Sequence, residues 1–248
     1  MKNIKLVTSL VFGLSTPLLA QDIPDNIAAS VNHADRFEAD VARDATRKPA
    51  EILAFAGIKP SMNVLDLFSG SGYYTEMVSR AVGAEGSVTS HNNQAYFSFL
   101  GGTIDAHYVG NRLPNVMRIK QEANDLALEA ESFDVALLVL TYHDFYLLQD
   151  GWPEIDAKKV MTEIYKSLKP GGRIVVIDHN ATAESGTSLA NTMHRIDAEY
   201  VKQEIISIGF TFDGSLDVLE NKDDLRSDSA FGPNIRGKTD RFVFRFKK

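Results

Sequence analysis

Two short runs, Phe133 to Leu140 (FDVALLVL) and Arg173 to Asp178 (RIVVID), constrain the fold of this chain more than any other feature. Each holds an unbroken apolar stretch, Val135 to Leu140 and Ile174 to Ile177, so the strand it forms has no face meant for water. Such strands belong inside a sheet covered by helices on both sides, and the helices are there. Lys48 to Ala56 (KPAEILAFA) reads as a helix with Pro49 in its first turn and Gly57 as its stop. Tyr74 to Val82, Ala157 to Leu168 and Met193 to Ile208 are further helices, and Asn93 to Asn111 is expected to be helical despite Gly101 and Gly102. Strands are expected at Asn63 to Phe68, Ser87 to Ser90, Val116 to Lys120, Phe210 to Val218 and Arg241 to Phe246. Strand and helix alternate without a linker or repeat, which predicts one α/β domain built on a parallel-rich sheet.

The first twenty residues are a separate object. Lys2 and Lys5 form a basic head, Leu6 to Leu14 an apolar run, and Ser15, Thr16 and Pro17 lead to Ala20 before polar Gln21 and Asp22. That layout predicts a secretory signal peptide over residues 1–20, too short to stay in a bilayer as a permanent span. The remainder, 21–248, is then the domain proper, with a helical cap over 21–47, and its expected place is periplasmic or secreted. Loss of residues 1–20 removes two lysines and no acid, so the net charge of −7 becomes −9. A chain this acidic repels a polyanion, so no nucleic-acid partner is expected and a small-molecule substrate is. The complete lack of cysteine excludes disulfides, thiolate metal sites and a cysteine nucleophile.

In open α/β sheets, ligands bind beyond the carboxyl ends of the strands. After the first strand the chain reads Asp66, Leu67, Phe68, Ser69, Gly70, Ser71, Gly72, Tyr73. The glycines admit a ligand to the backbone, and the following helix offers its N-terminal amides. A dinucleotide fingerprint would want a third glycine at Thr75, and Asp66 would repel a pyrophosphate. A cationic or zwitterionic ligand suits the loop better.

At these residues the chain resembles the class I S-adenosylmethionine-dependent methyltransferases, over about residues 48–210. The carriers are VLDLFSGSG (64–72), GSVTSHNN (86–93), EANDL (122–126), SFDVALLVL (132–140) and LKPGGRIVVID (168–178), in family order. RKPAEILAF (47–55) and RGKTDRF (236–242) are similar to an exported bacterial group of predicted methyltransferases. The resemblance implies a Rossmann-like, seven-stranded, mostly parallel sheet with helices on both faces and an antiparallel C-terminal hairpin. It implies S-adenosylmethionine as cofactor, with the strand-end acid at Asp66 and the glycine turn at Phe68, Gly70 and Gly72. The ribose position falls on Asn92, and Glu122 and Ala123 fall where the adenine edge is read.

Direct displacement of a methyl group requires an aligned nucleophile and, for a hydroxyl, a base. His143 and Asp144 follow the fourth strand and His179 the fifth, so these three are the candidate catalytic residues. Tyr142, His194 and Arg236 are candidates for the substrate, the arginine because its fork suits a carboxylate or phosphate. Asp144, Asp178, His179 and His194 also raise the question of a magnesium ion. Residues Val139 to Tyr142 precede any acid after the fourth strand, so no metal is expected. Two alternatives to methyl transfer are an exported binding or accessory protein on the same fold, and another acid–base reaction in the same cleft.

Overall fold

The computed structural model describes residues 22–248, so the expected signal peptide lies outside the described residues. The strands are β1 (Asn63–Leu67), β2 (Ser87–Asn92), β3 (Val116–Lys120), β4 (Phe133–Val139), β5 (Leu168–His179), β6 (Thr211–Ser215) and β7 (Arg241–Lys247). They form one seven-stranded sheet in the order β3-β2-β1-β4-β5-β7-β6. β1 to β5 pair in parallel, whereas β7 lies between β5 and β6 and is antiparallel to both. This is the mixed sheet expected, with its C-terminal hairpin at one edge.

The helices are α1 (Asp25–Val31), α2 (Glu38–Arg47), α3 (Pro49–Ala56), α4 (Tyr73–Val82), α5 (Gln94–Leu100), α6 (Ala157–Ser167), α7 (Ala190–Met193) and α8 (Ala198–Ile208). Alternate residues of the buried strands feed two cores. Val64, Val135, Leu137, Val175 and Ile177 pack with Ile27 of α1, Leu53 of α3 and Met77 of α4. Leu65, Leu67, Ala136, Leu138, Ile174 and Val176 pack with Val160 and Ile164 of α6 and Val201 and Ile205 of α8. Each of the valines, leucines, isoleucines and the methionine contributes about 1.5–3 kcal/mol by leaving water, which is why the continuous apolar runs are obligatory here. The N-terminal helices seal the first core: Asn26 Nδ2 donates to Ala81 O at 3.1 Å. Arg241 Nη2 donates to Thr46 O at 2.7 Å, which sets the end of α2 beside the carboxyl edge of the parallel strands.

Of the boundaries that differ from the sequence expectation, four have a clear physical cause. β1 stops at Leu67 because Phe68 turns left-handed, with φ of 50°. The stretch 93–111 is α5 followed by 3₁₀ turns, broken where Val109 and Gly110 leave helical geometry. β5 begins at Leu168 and takes in Pro170, Gly171 and Gly172, with a register shift against β4 between Phe133 and Val135. A Cβ on Gly172 would lie 2.9 Å from Lys169 O, so that detour needs glycine.

The fourth difference bears on function. The helix expected over 193–208 is split into α7 and α8. His194, at φ 51°, ends α7, and the Asp197 side chain accepts from Glu199 N at 2.9 Å to start α8. Between them Ile196 N donates to His179 O and Ala181 N to Ile196 O, both at 3.0 Å. The break therefore lays residues 194–197 against the end of β5, where periodicity alone predicts a continuous helix.

Candidate functional site

Because β1, β2, β4 and β5 are parallel, the residues that follow them converge at one edge. The turn after β1 carries three left-handed residues: Phe68 at φ 50°, Gly70 at 60° and Gly72 at 106°. The space on the side-chain side of Gly70 is open, whereas a Cβ on Gly72 would meet Tyr108 Oη at 2.9 Å. Phe68 holds a conformation that costs a non-glycine residue roughly 1–2 kcal/mol. Its ring offsets that by stacking on Tyr96, with centroids 5.2 Å apart, and by packing edge-on to His91 at 5.0 Å.

Beneath the turn Asp66 is 2% exposed, and its Oδ2 accepts from Thr75 Oγ1 at 2.6 Å. No cation among the described residues pairs with it. Burial pushes its carboxyl up to about 7, against the smaller downward pull of the Thr75 hydroxyl. A carboxylate kept dry and unpaired at a ligand-facing turn is prepared for a cation that the protein does not itself supply.

After β2 the side chains divide their work. Asn92 Oδ1 accepts from Gly70 N at 3.0 Å, and its Nδ2 donates to Gly70 O at 3.0 Å and to Ser69 Oγ at 3.1 Å. Both ends of the amide are thus spent on the glycine turn. Asn93 caps α5 by accepting from Tyr96 N at 3.0 Å, while its buried Nδ2 has no partner. Glu122 Oε1 accepts from Gln94 N at 3.2 Å, and its buried Oε2 is likewise without a partner. Ala123 is buried at the start of the short turn that follows. His91, to which the sequence assigned no role, accepts from Phe68 N and bridges from its Nε2 to Gln121 O at 2.9 Å. Burial lowers its pKa to about 4, so it is a neutral brace between the turns after β1 and β3.

The second group lies after β4 and β5. His143 Nδ1 is 2.8 Å from Asp178 Oδ1, and its backbone N donates to Asp178 Oδ2 at 2.8 Å. Its Nε2 lies 3.1 Å from Asp144 Oδ1. Burial alone would lower the His143 pKa, yet Asp178 and Asp144 together raise it to about 10. His179 is the opposite case. Its Nδ1 lies 2.6 Å from Thr239 Oγ1, and burial with the positive charge of His143, Arg241, Arg195 and Arg47 holds its pKa well below the usual histidine value. His194 packs edge-on against His143, with centroids 5.3 Å apart. Tyr96 joins the two groups, since its hydroxyl donates to Asp144 Oδ2 at 2.7 Å while its ring covers Phe68.

Comparison with known proteins agrees with this layout. Residues 65–176 match the model of a methyltransferase domain, and residues 26–97 match that of protein-L-isoaspartate(D-aspartate) O-methyltransferase. A crystallised S-adenosylmethionine-dependent methyltransferase from Aquifex aeolicus superposes with a TM-score of 0.62 at 20% identity, covering 83% of this chain and 92% of that one. Residues 65–176 carry a methyltransferase domain, and the sheet has the class I S-adenosylmethionine-dependent methyltransferase fold. The ubiquinone/menaquinone biosynthesis C-methyltransferase UbiE of Psychromonas ingrahamii is 26% identical over 175 residues, 67% of this chain and 64% of that protein. The chloroplastic 2-phytyl-1,4-beta-naphthoquinone methyltransferase of Arabidopsis thaliana is 26% identical over 136 residues, 55% and 49% of the two chains. The chain thus matches about half to two thirds of the length of these curated relatives.

The methyltransferase domain implies S-adenosylmethionine, and the residues fit it. Asp66 would answer its positive charge, the open side of Gly70 would leave room for it, and the orphaned Glu122 Oε2 and Asn93 Nδ2 would offer an acceptor and a donor to its polar edges. Three of the expected site residues have other partners in the fold. The Asn92 amide is committed to the glycine turn, so the free donor after β2 belongs to Asn93. Tyr142 is buried, and its hydroxyl donates to Glu204 Oε2 of α8 at 2.6 Å. Arg236 is exposed and lies over the Phe231 ring at 5.7 Å, and that ring packs on His194 with centroids 4.7 Å apart. The strand-end rule that selected Asn92 also covers His91 and Asn93; Tyr96 and Thr75 carry no comparable sequence signal.

Proposed function

We propose that this chain transfers a methyl group from S-adenosylmethionine to a small-molecule acceptor, and that it does so outside the cytosol. The observation that carries the reading is the buried, unpaired Asp66 beneath a glycine turn at the carboxyl edge of β1. The bound cofactor would supply an electrophilic methyl on a sulfonium. Asp66 would answer its cationic end, Gly70 would let it reach the backbone, and Glu122 and Asn93 would orient its nucleoside. The small-molecule acceptor rests on the relatives named above, whose names place them on quinones; soluble quinols are therefore the first acceptors to assay.

The general-base role expected of His143 does not suit its geometry, because a ring that keeps its proton up to about pH 10 cannot take another at neutral pH. His179 is the neutral imidazole of the pair, and the burial and neighbouring cations that keep it neutral also make it a weak base. Export rests on the basic head and apolar run of residues 1–20. The N-terminus of protein recovered from its host tests it: cleavage after Ala20 supports export, and an intact Met1 in the cytosol refutes it.

The decisive test of the activity is equilibrium binding of S-adenosylmethionine and S-adenosylhomocysteine to the purified protein. Binding that Asp66→Ala abolishes supports the reading, and failure of both to bind at millimolar concentration ends it. A binding or accessory protein on the same domain is the second reading, favoured by the Asn92 amide that the glycine turn has taken. It predicts S-adenosylhomocysteine binding with no methyl transfer to any quinol.

A further inference from the structure

The histidine cluster at the ends of β4 and β5 has a charge arrangement that methyl transfer does not require. Asp178 is fully buried and Asp144 is 7% exposed. Neither has an arginine or lysine within ion-pair distance among the described residues; the one group able to balance both is the His143 ring. A second buried cluster, Asp40, Glu76 and His107, shows how the protein treats carboxylates it means only to neutralise. There Arg43 pairs with Asp40, and Arg80 and Arg112 both pair with Glu76, at 2.8 and 2.9 Å. Two buried carboxylates left with less than two positive charges are costly unless a cation completes them.

The geometry points to a site for a divalent transition-metal ion of the zinc class, held by His143, Asp144 and His194. Their ligand atoms all lie within 4.8 Å of one another, and two imidazole nitrogens with one carboxylate oxygen suit zinc, cobalt or ferrous iron rather than magnesium or calcium. Each of the two buried ligands is already aimed by a second partner. Asp178 Oδ1 holds Nδ1 of His143 at 2.8 Å and so turns Nε2 toward Asp144 and His194, the carboxylate–histidine pairing that orients metal-bound imidazoles. Tyr96 holds the far oxygen of Asp144 at 2.7 Å, leaving Oδ1 for the ion.

His194 completes the site from the break between α7 and α8. Its backbone is left-handed, at φ 51°, an uncommon conformation for a non-glycine residue that is expected where a side chain must be delivered to a place. Its N–H is tied to Ala190 O at 3.1 Å, and its half-buried ring packs between His143 and Phe231. The ion would take the place of the proton on Nε2 of His143, releasing that proton on binding. Three protein ligands leave at least one coordination position open to water or to a donor atom of a substrate. The site stands whether or not the chain transfers methyl groups, and it reverses the expectation from sequence that no metal is held.

The test uses the purified protein, stripped with a chelator and titrated with Co²⁺ by visible absorption and with Zn²⁺ by calorimetry. The expected result is one ion per chain with the d–d absorption of four- or five-coordinate cobalt. Because His143 is deeply buried and its variants risk unfolding, His194→Ala is the first variant; affinity should fall at least tenfold and the absorption band should vanish while the far-ultraviolet circular dichroism stays unchanged. Asp178→Asn should weaken binding by about 10- to 100-fold, the usual effect of losing a partner that orients a ligand. Absence of stoichiometric binding at millimolar ion overturns the proposal, and so does binding that a folded His194→Ala leaves unaltered.

Discussion

Replacing Asp66 by Asn should make the protein more stable and less able to bind its cofactor, and both effects can be sized from the structure. In the fold the carboxyl ionises near 7, above its ordinary 3.8, because burial outweighs the Thr75 hydrogen bond. A carboxyl raised in this way keeps its proton in the folded state after the unfolded chain has lost it. Stability therefore falls as pH climbs from about 4 to about 7 and is level beyond. A difference of about 3 pH units at 1.36 kcal/mol each gives an upper cost of about 4 kcal/mol at pH 8. Asn removes that cost but weakens the bond from Thr75 by about 1–2 kcal/mol, so a net gain of about 2–3 kcal/mol is expected. For a domain of this size that is a Tm rise of about 4–12 °C. At pH 4, where burial no longer costs Asp66 anything, the variant should have lost its advantage and be no more stable than wild type. Calorimetric titration with S-adenosylhomocysteine, which retains the ammonium, reads the other half. Wild-type affinity should rise roughly tenfold between pH 6 and pH 8 as Asp66 ionises, and Asp66→Asn should bind weakly with no such slope. A variant no more stable than wild type at pH 8, or one that keeps both affinity and slope, would refute the reasoning.

Other changes probe single contacts. Phe68→Gly should be less destabilising than Phe68→Ala by about 1 kcal/mol, since both lose the aromatic stack but only glycine relieves the left-handed backbone; urea denaturation midpoints decide, and the reverse order would remove the strain argument. Gly72→Ala should cost about 2 kcal/mol or more in thermal stability and impair cofactor binding, because the new Cβ meets Tyr108 Oη at 2.9 Å at φ 106°. Glu122→Gln should weaken S-adenosylhomocysteine binding about tenfold, by removing the charged acceptor whose Oε2 has no partner in the fold. Tyr142→Phe should lower stability by about 1 kcal/mol through loss of its bond to Glu204 and leave KM for any acceptor unchanged; a raised KM would restore Tyr142 as a substrate residue.

Much of this architecture is legible in the residues themselves. The runs at 133–140 and 173–178 demand burial on both faces whatever surrounds them, and their alternation with amphipathic helices leaves a parallel-rich sheet as the economical solution. The glycine turn after β1 is legible for the same local reason, since Gly70 and Gly72 stand where the backbone must turn left-handed. Phe68 was harder, because its tolerance of that conformation comes from Tyr96 and His91, which reach it from other elements.

Protonation, pairing and direction were decided by tertiary structure. From sequence, His143 and His179 are equivalent histidines after two strands. In the fold one lies between two carboxylates and the other among cations, so they stand at opposite ends of the histidine range. Tyr142 follows β4 just as His143 does, yet its hydroxyl is drawn across to Glu204 on α8. His194 reads as part of a helix and becomes the break in one, because residues 194–197 bond to the end of β5. The physical reason is common to all three. Hydrophobic patterning acts through a residue's near neighbours and survives in the linear order, whereas charge, desolvation and hydrogen bonding depend on groups that only folding brings within a few ångströms.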